Sequence, residues 1–207
     1  MSRYRGPRVK LMRAVGMNLP GLSRKTIERR PNPPGMKEGQ FRRKKSQYGA
    51  QLLEKQKLRF NYGITENYMR RIASESFRSR EHSGNKFLEL LERRLDNAIF
   101  RAGFAPTISA ARQLVGHRHV LVDGKIVNIP SFRIGLGQVL SLRPDAYKFP
   151  VVAYSLENTS LARPAWISFE SAGAASAKII ALPDRESLPF PIDISTIVEY
   201  YARRVKR

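Results

Sequence analysis

The 207-residue chain carries 38 Lys and Arg against 17 Asp and Glu, a formal net charge of +21, with 42% apolar residues and no cysteine. That length fits one or two domains with a real core, and so basic a chain attracts polyanions, nucleic acid before all others. The missing cysteines exclude disulfides, cysteine zinc sites, iron–sulfur clusters and a thiol nucleophile, while no apolar run approaches the ~20 residues of a spanning helix and the basic N-terminus lacks an apolar signal region.

The charge is uneven. Residues 1–80 hold 21 Lys and Arg against 5 acids, and residues 81–207 hold 17 against 12. Residues 1–45 read as a basic extended arm. A short helix is expected from Arg8 to Val15, stopped by Gly16. Pro20-Gly21, the run from Arg30 to Gly35 and the cluster Arg42-Arg43-Lys44-Lys45 follow, and Pro and Gly at this density block long helices. Such an arm is either a disordered tail or a segment that orders along a phosphate backbone. Tyr4 and Phe41, interleaved with the charge, favour the second through base stacking.

Three helices are expected next. Ser46 caps one that runs to Tyr62 and stops at Gly63, with Leu52, Leu53, Phe60 and Tyr62 as core candidates and Lys55 and Arg59 on an outer face. Thr65 starts a second, with Met69, Ile72 and Ala73 inward and Arg70, Arg71 and Arg78 outward. A third runs from Ser83 to Ala102, on the stripe Leu88, Leu91, Leu95, Ala98 or Ile99, and Ala102.

Thr107 or Ser109 then caps a helix ending at Gly116. Val120-Leu121-Val122 and Lys125 to Ile129 flank Asp123-Gly124, the favoured two-residue hairpin turn. Gln138 to Leu142 alternates as a third strand. Val151 to Tyr154, Ala165 to Glu170 and Lys178 to Leu182 are expected as further strands, and Ile192 to Arg204 as a closing helix on Ile194, Ile197, Val198 and Tyr201.

Catalytic constellations are poor. His117 and His119 share one side of the expected strand, but only His82 remains as a third imidazole, too few for a metal centre. Gly-x-Ser-x-Gly elbows, phosphate-cradling glycine loops and zincin helices are absent. Asp96 is expected to cap or to pair with a nearby arginine. What remains is a basic surface around the stretch SAARQLVGHRHVLVDGKIV (Ser109–Val127). There a helix N-terminus with Arg112 one turn in, and a hairpin flanked by Arg118 and Lys125, can read the backbone of A-form RNA. Arg112 and Lys125 are expected to point outward, the inner face being filled by Leu114, Val115, Leu121 and Ile126; the structural alternative pairs Arg112 with Asp96 or Asp123.

The segment RLDNAIFRAGFAPTISAARQLVGHRHVLVDGKIVNIPS (Arg94–Ser131) resembles the alpha-L RNA-binding motif, with its Arg-Leu-Asp start, Ala-Arg-x-Leu helix and Val-x-Val-Asp-Gly hairpin. With SRYRGPRVKLMR, SQYGAQLLEKQKLRFNYGI (Ser46–Ile64) and IVEYYARR, the chain resembles the bacterial or plastid small-ribosomal-subunit protein four family. The ending VEYYARR leans toward the cyanobacterial and plastid branch. The resemblance implies an α+β fold: a helical domain of residues 46–91 completed by 192–207, and an inserted α+β domain, 92–191, with the alpha-L motif at 94–142 and an antiparallel sheet. It implies a structural, non-enzymatic protein without cofactor or metal, since the arm has no cysteines to hold zinc. It further implies direct binding to a multi-helix junction of small-subunit rRNA that nucleates assembly of the subunit body. Contact with ribosomal protein five, nearness to where mRNA enters and a role in translational accuracy belong to the same expectation, with no membrane partner. The expected RNA-binding residues are Arg3, Tyr4, Arg5, Arg8, Lys10, Arg13, Arg42, Arg43, Lys44, Lys45, Lys55, Lys57, Arg59, Arg70, Arg71, Arg94, Arg112, Gln113, His117, Arg118, His119 and Lys125. A free-standing alpha-L RNA-binding protein and a fragment of an RNA-modifying enzyme are the alternatives.

Overall fold

The computed structural model describes residues 4–36, 46–158, 161–169, 176–184 and 187–204. In chain order its helices are α1 (Arg8–Val15), α2 (Gln47–Tyr62), α3 (Glu66–Arg78), α4 (Ser83–Glu92), α5 (Leu95–Arg101), α6 (Ile108–Gly116), α7 (Pro150–Glu157) and α8 (Ile194–Ala202). The strands are β1 (Val120–Val122), β2 (Lys125–Ile126), β3 (Val139–Leu142), β4 (Ile167–Phe169) and β5 (Ser176–Ile179). No helix among the described residues is long and apolar enough to cross a membrane. Two structural units divide the chain, Met1–Phe87 with Phe190–Arg207, and Leu88–Pro189.

In the first unit α2 packs against α8 and, more lightly, against α1. Ser46 caps α2 by accepting from the Gly49 amide at 3.2 Å, and Gly63, at φ +58, ends it in the left-handed region. The buried stripe of α2 is Gln51, Lys55, Leu58, Asn61 and Tyr62. Leu52, Leu53 and Phe60 are only half-buried, so the inward face is rotated from the expected one. The cause is polar: Lys55 turns in toward Glu66, and Asn61 accepts the Gly21 amide at 2.9 Å.

That last bond corrects the reading of the arm. Met12, Val15, Leu19 and Leu22 are buried, and Arg13 Nε donates to the Asn32 carbonyl at 2.7 Å. Four apolar side chains, each contributing about 1.5–3 kcal/mol on full burial, dock this segment without any phosphate. Arg3, Arg42, Arg43, Lys44 and Lys45 lie outside the described residues.

The second unit holds a five-stranded antiparallel sheet in the order β2-β1-β3-β5-β4, with α5 packed against α6. Val120, Leu140, Ala177 and Val152 are fully buried, beside Leu91, Leu95, Ala98 and Ile99 from the expected helical stripe. Three expectations are corrected here. The single helix from Ser83 to Ala102 is two, broken at Arg93-Arg94. There the backbone extends and pairs with the segment 130–134: Leu95 N to Phe132 O at 2.8 Å, Asp96 N to Pro130 O at 3.1 Å, and Ile134 N to Arg93 O at 2.9 Å. Val151–Tyr154 is not a strand but lies in α7, because Pro150 occupies the first helical position, where its missing N–H and fixed φ suit a helix start. Finally β2 ends at Ile126, short of Ile129, and β5 ends at Ile179, short of Leu182.

Candidate nucleic-acid interface

Thr107, not Ser109, caps α6, its Oγ1 accepting from the Ala110 amide at 3.3 Å. The helix ends at Gly116, as expected, and is closed by the residues that follow it, with the Arg118 amide on the Val115 carbonyl and the His119 amide on the Leu114 carbonyl, each at 3.0 Å. This paired closure demands a left-handed residue, normally glycine; here it is Arg118, at φ +63. His117 and His119 therefore flank a helix terminus and do not share a strand face. His119 packs its edge on Phe149, with ring centroids 4.9 Å apart, whereas His117 is exposed.

Asp123 and Gly124 both have positive φ, +50 and +75, as the two-residue hairpin turn requires. The Asp123 carboxylate also pins the turn to β3, accepting from the Val139 amide at 2.8 Å and from Gln138 Nε2 at 2.9 Å. Leu121 pairs with Ile126 on the outer face, so Val120 and Val122 fill the inner one and Ile126 is exposed, contrary to expectation. Arg118 stands just before β1, and Lys125 lies opposite Val122 at its far end. Both are exposed, and neither makes a side-chain hydrogen bond or ion pair among the described residues. Gln113 is exposed on α6 as well.

Arg94 and Arg112 are not part of this surface. Asp96, fully buried, accepts from Arg94 Nε and Nη2 at 2.9 and 2.7 Å and from Arg112 Nε and Nη2 at 3.0 and 2.7 Å. Side chains two apart on a helix point away from each other, so the Arg94–Asp96 fork requires the break before α5. Arg112 leaves the phosphate face because a buried carboxylate next to α6 outcompetes solvent for its guanidinium. Asp96 has the expected pairing role. Its neighbour Asn97 donates to both the carbonyl and the carboxylate of Glu92, at 3.0 and 3.1 Å.

In the first unit Tyr4, Arg5, Lys10, Arg70 and Arg71 are exposed, the last lying 4.9 Å over the Tyr68 ring. Arg8 and Arg13 are half-buried and tied to loop carbonyls, so structure claims part of their bonding. Lys55 is corrected outright. It is buried, 2.8 Å from Glu66, and its ammonium sits 5.1 Å from the Tyr200 ring centroid. Lys57 pairs with Glu54, and Arg59 is half-buried beside Gln56. Burial pushes the Glu66 carboxyl up, but the hydrogen bond and charge of Lys55, the Tyr201 hydroxyl and the charge of Arg59 outweigh it and hold Glu66 below its ordinary range. Arg24, Lys25, Arg29 and Arg30 are exposed in the loop after α1, where the reading of the sequence missed them. Four cations between two proline-bearing stretches were the available signal.

Residues 3–92 match the ribosomal protein S4/S9 N-terminal domain, and residues 93–140 match the S4 domain. The chain is 54% identical over 206 residues to the small ribosomal subunit protein uS4 of Methylobacillus flagellatus and 52% identical over 206 residues to uS4B of Nitrosomonas europaea. It is 45% identical over 205 residues to uS4 of Rippkaea orientalis. Each similarity covers 99% of this chain and 100% of the relative. Higher identity to the first two than to the cyanobacterial protein runs against the branch that VEYYARR suggested.

Proposed function

The chain belongs to the ribosomal protein S4 family, and on that premise we propose that it is a structural, non-catalytic component of the small ribosomal subunit that binds the subunit's rRNA directly. One observation carries the reading: Arg118 holds a strained left-handed backbone at a helix end where glycine would serve, and its charge has no ion-pair partner among the described residues. With Lys125 across the pinned hairpin and Gln113 and His117 beside it, it offers point charges and donors to a phosphate backbone. The first unit adds Tyr4, Arg5, Lys10, Arg70, Arg71 and the loop cations Arg24, Lys25, Arg29 and Arg30.

The rRNA site is a multi-helix junction, whose early occupation nucleates assembly of the subunit body. Ribosomal protein five is the protein neighbour, mRNA enters nearby, and the protein contributes to translational accuracy in a ribosome of bacterial cytoplasm or plastid stroma. The family resemblance supports these finer assignments.

The test is binding of the full chain to a purified rRNA junction fragment across a salt titration, with cosedimentation on small subunits through a high-salt wash. A protein that neutralises 6–10 phosphates loses roughly 10³–10⁵ in affinity between 50 and 200 mM salt on duplex arithmetic, somewhat less on RNA. A flat titration, or no cosedimentation with small subunits even at low salt, rejects the reading.

A further inference from the structure

We propose that Asp123–Gly124 is a modification site, where the chain isomerises to isoaspartate unless β3 holds the turn. Of the 14 glycines in the sequence, only Gly124 follows an aspartate or an asparagine. Glycine is the neighbour that matters, because a residue without Cβ leaves its own amide nitrogen open to the preceding carboxyl. Both residues are exposed, and nothing lies within 4 Å of where a Gly124 Cβ would stand.

The chemistry needs only water. The Gly124 nitrogen attacks Cγ of Asp123, forming a C–N bond and closing a five-membered succinimide. The hydroxyl of the carboxyl group departs with the amide proton as water. A second water then adds to the main-chain carbonyl carbon of Asp123 and breaks that carbon's bond to the Gly124 nitrogen, which takes up the proton. The main chain now runs through Cβ and Cγ, one carbon longer, and the former peptide carbonyl is a free carboxylate. Composition and charge are unchanged.

The folded structure opposes the first step by geometry. Cγ reaches the following nitrogen only by rotation about the Asp123 side-chain bonds. Both carboxylate oxygens are instead held from β3 and the residue before it: Oδ1 accepts from the Val139 amide at 2.8 Å and Oδ2 from Gln138 Nε2 at 2.9 Å. Gln138 is itself fixed, its Oε1 accepting the Gly135 amide at 2.7 Å, and the Asp123 amide donates to the Val139 carbonyl at 2.9 Å. Attack therefore waits for a local opening that breaks these bonds, and its rate follows the open fraction. A chain that stays unfolded has no such protection. Once formed, isoaspartate lengthens a two-residue turn built on two positive φ values, so Leu121 loses its partner Ile126 and Lys125 leaves its place. The modification marks chains that fold late. That it also bars them from the RNA rests on the rRNA-binding reading.

The test incubates the full chain in warm neutral buffer, folded and in urea, and follows the tryptic peptide His119–Lys125, whose isoaspartyl form separates by chromatography. Isoaspartate should accumulate in urea and form about tenfold or more slowly in the folded protein, as two hydrogen bonds to one side chain require. Gln138→Glu keeps an acceptor for the Gly135 amide but removes the donor to Asp123. Its folded form should isomerise about two- to tenfold faster than folded wild type, the effect of one hydrogen bond, while the two rates in urea agree. Refolded isoaspartyl chain should bind the rRNA junction fragment more weakly than its unmodified counterpart. The inference is overturned by the absence of isoaspartate in urea, by equal rates in folded and unfolded wild type, or by a folded Gln138→Glu rate no higher than wild type. Absence of junction binding by the unmodified chain rejects the rRNA reading instead and leaves the isomerisation standing.

Discussion

Arg112 aims both Nε and Nη2 at a single oxygen of Asp96, Oδ2, which also accepts from Arg94 Nη2 at 2.7 Å. One carboxylate thus joins α6 to the break before α5. Arg112→Gln removes charge-assisted bonds worth about 1.5–3 kcal/mol, and Asp96→Asn leaves two guanidinium groups facing a neutral amide at a cost of about 3–5 kcal/mol. Both variants should melt early, Asp96→Asn the earlier. The folded fraction of Arg112→Gln should bind rRNA with the wild-type salt slope; a slope reduced by one with normal melting would return Arg112 to the interface.

Arg118→Gly should do the opposite. It relieves a left-handed penalty of about 1–2 kcal/mol and adds about 0.4–1 kcal/mol of unfolded-chain entropy, for a gain of up to about 1.6 kcal/mol. Affinity for rRNA should fall, with a salt slope smaller by about one unit. Lys125→Gln should lower the slope equally without moving the melting temperature. Stabilisation with undiminished binding would remove Arg118 from the RNA surface.

Gly124→Val tests the hairpin through its backbone alone. Nothing lies within 4 Å of where a Cβ would stand, so the whole effect comes from φ +75. A β-branched residue held there should lose about 1–3 kcal/mol and weaken RNA binding by disturbing Lys125. Asp123→Ala should reproduce the loss by freeing the turn from β3. Unchanged thermal unfolding of Gly124→Val contradicts the turn geometry.

Glu66 gives the first unit a pH dependence. Its carboxyl is held below the ordinary range of about 4.3, so folding gains stability that is complete above that range and disappears as pH falls through the folded-state value. Chemical denaturation of the wild type should show an acid limb of stability that Glu66→Gln flattens. An identical limb in both proteins would mean that Lys55 and Tyr201 do not act on Glu66.

Local signals in the sequence were reliable where one residue type does one job. Ser46, Gly63 and Thr65 mark helix ends, Asp123-Gly124 marks a turn that needs two positive φ values, and Met69, Ile72 and Ala73 lie on the buried face of α3. Buried charge was the blind spot. Lys55, Arg94 and Arg112 look like phosphate ligands by residue type, yet each is withdrawn by an acid distant enough in sequence, or shielded enough by a backbone break, that periodicity cannot register it. The break at Arg94 was illegible for a related reason. Leu88 to Ala102 keeps helical spacing throughout, and the interruption comes from the 130–134 segment bonding across. Arg118 was legible as a cation; its left-handed backbone was hidden because Gly116 stands where a helix stop is ordinarily read.

Segments far apart in the chain meet in one unit: Tyr201 donates to Glu66 and Gln51 to Glu199, bonds that span 135 and 148 residues. During synthesis the Leu88–Pro189 unit is contiguous and can close while α8 is still unmade. The usual order, in which N-terminal parts fold first, is therefore reversed. Until α8 emerges, a nascent chain exposes Lys55, Glu66 and the inner side of α2. A ribosome stalled before Ile194 should hold a chain protease-resistant in its middle and cleavable near its beginning.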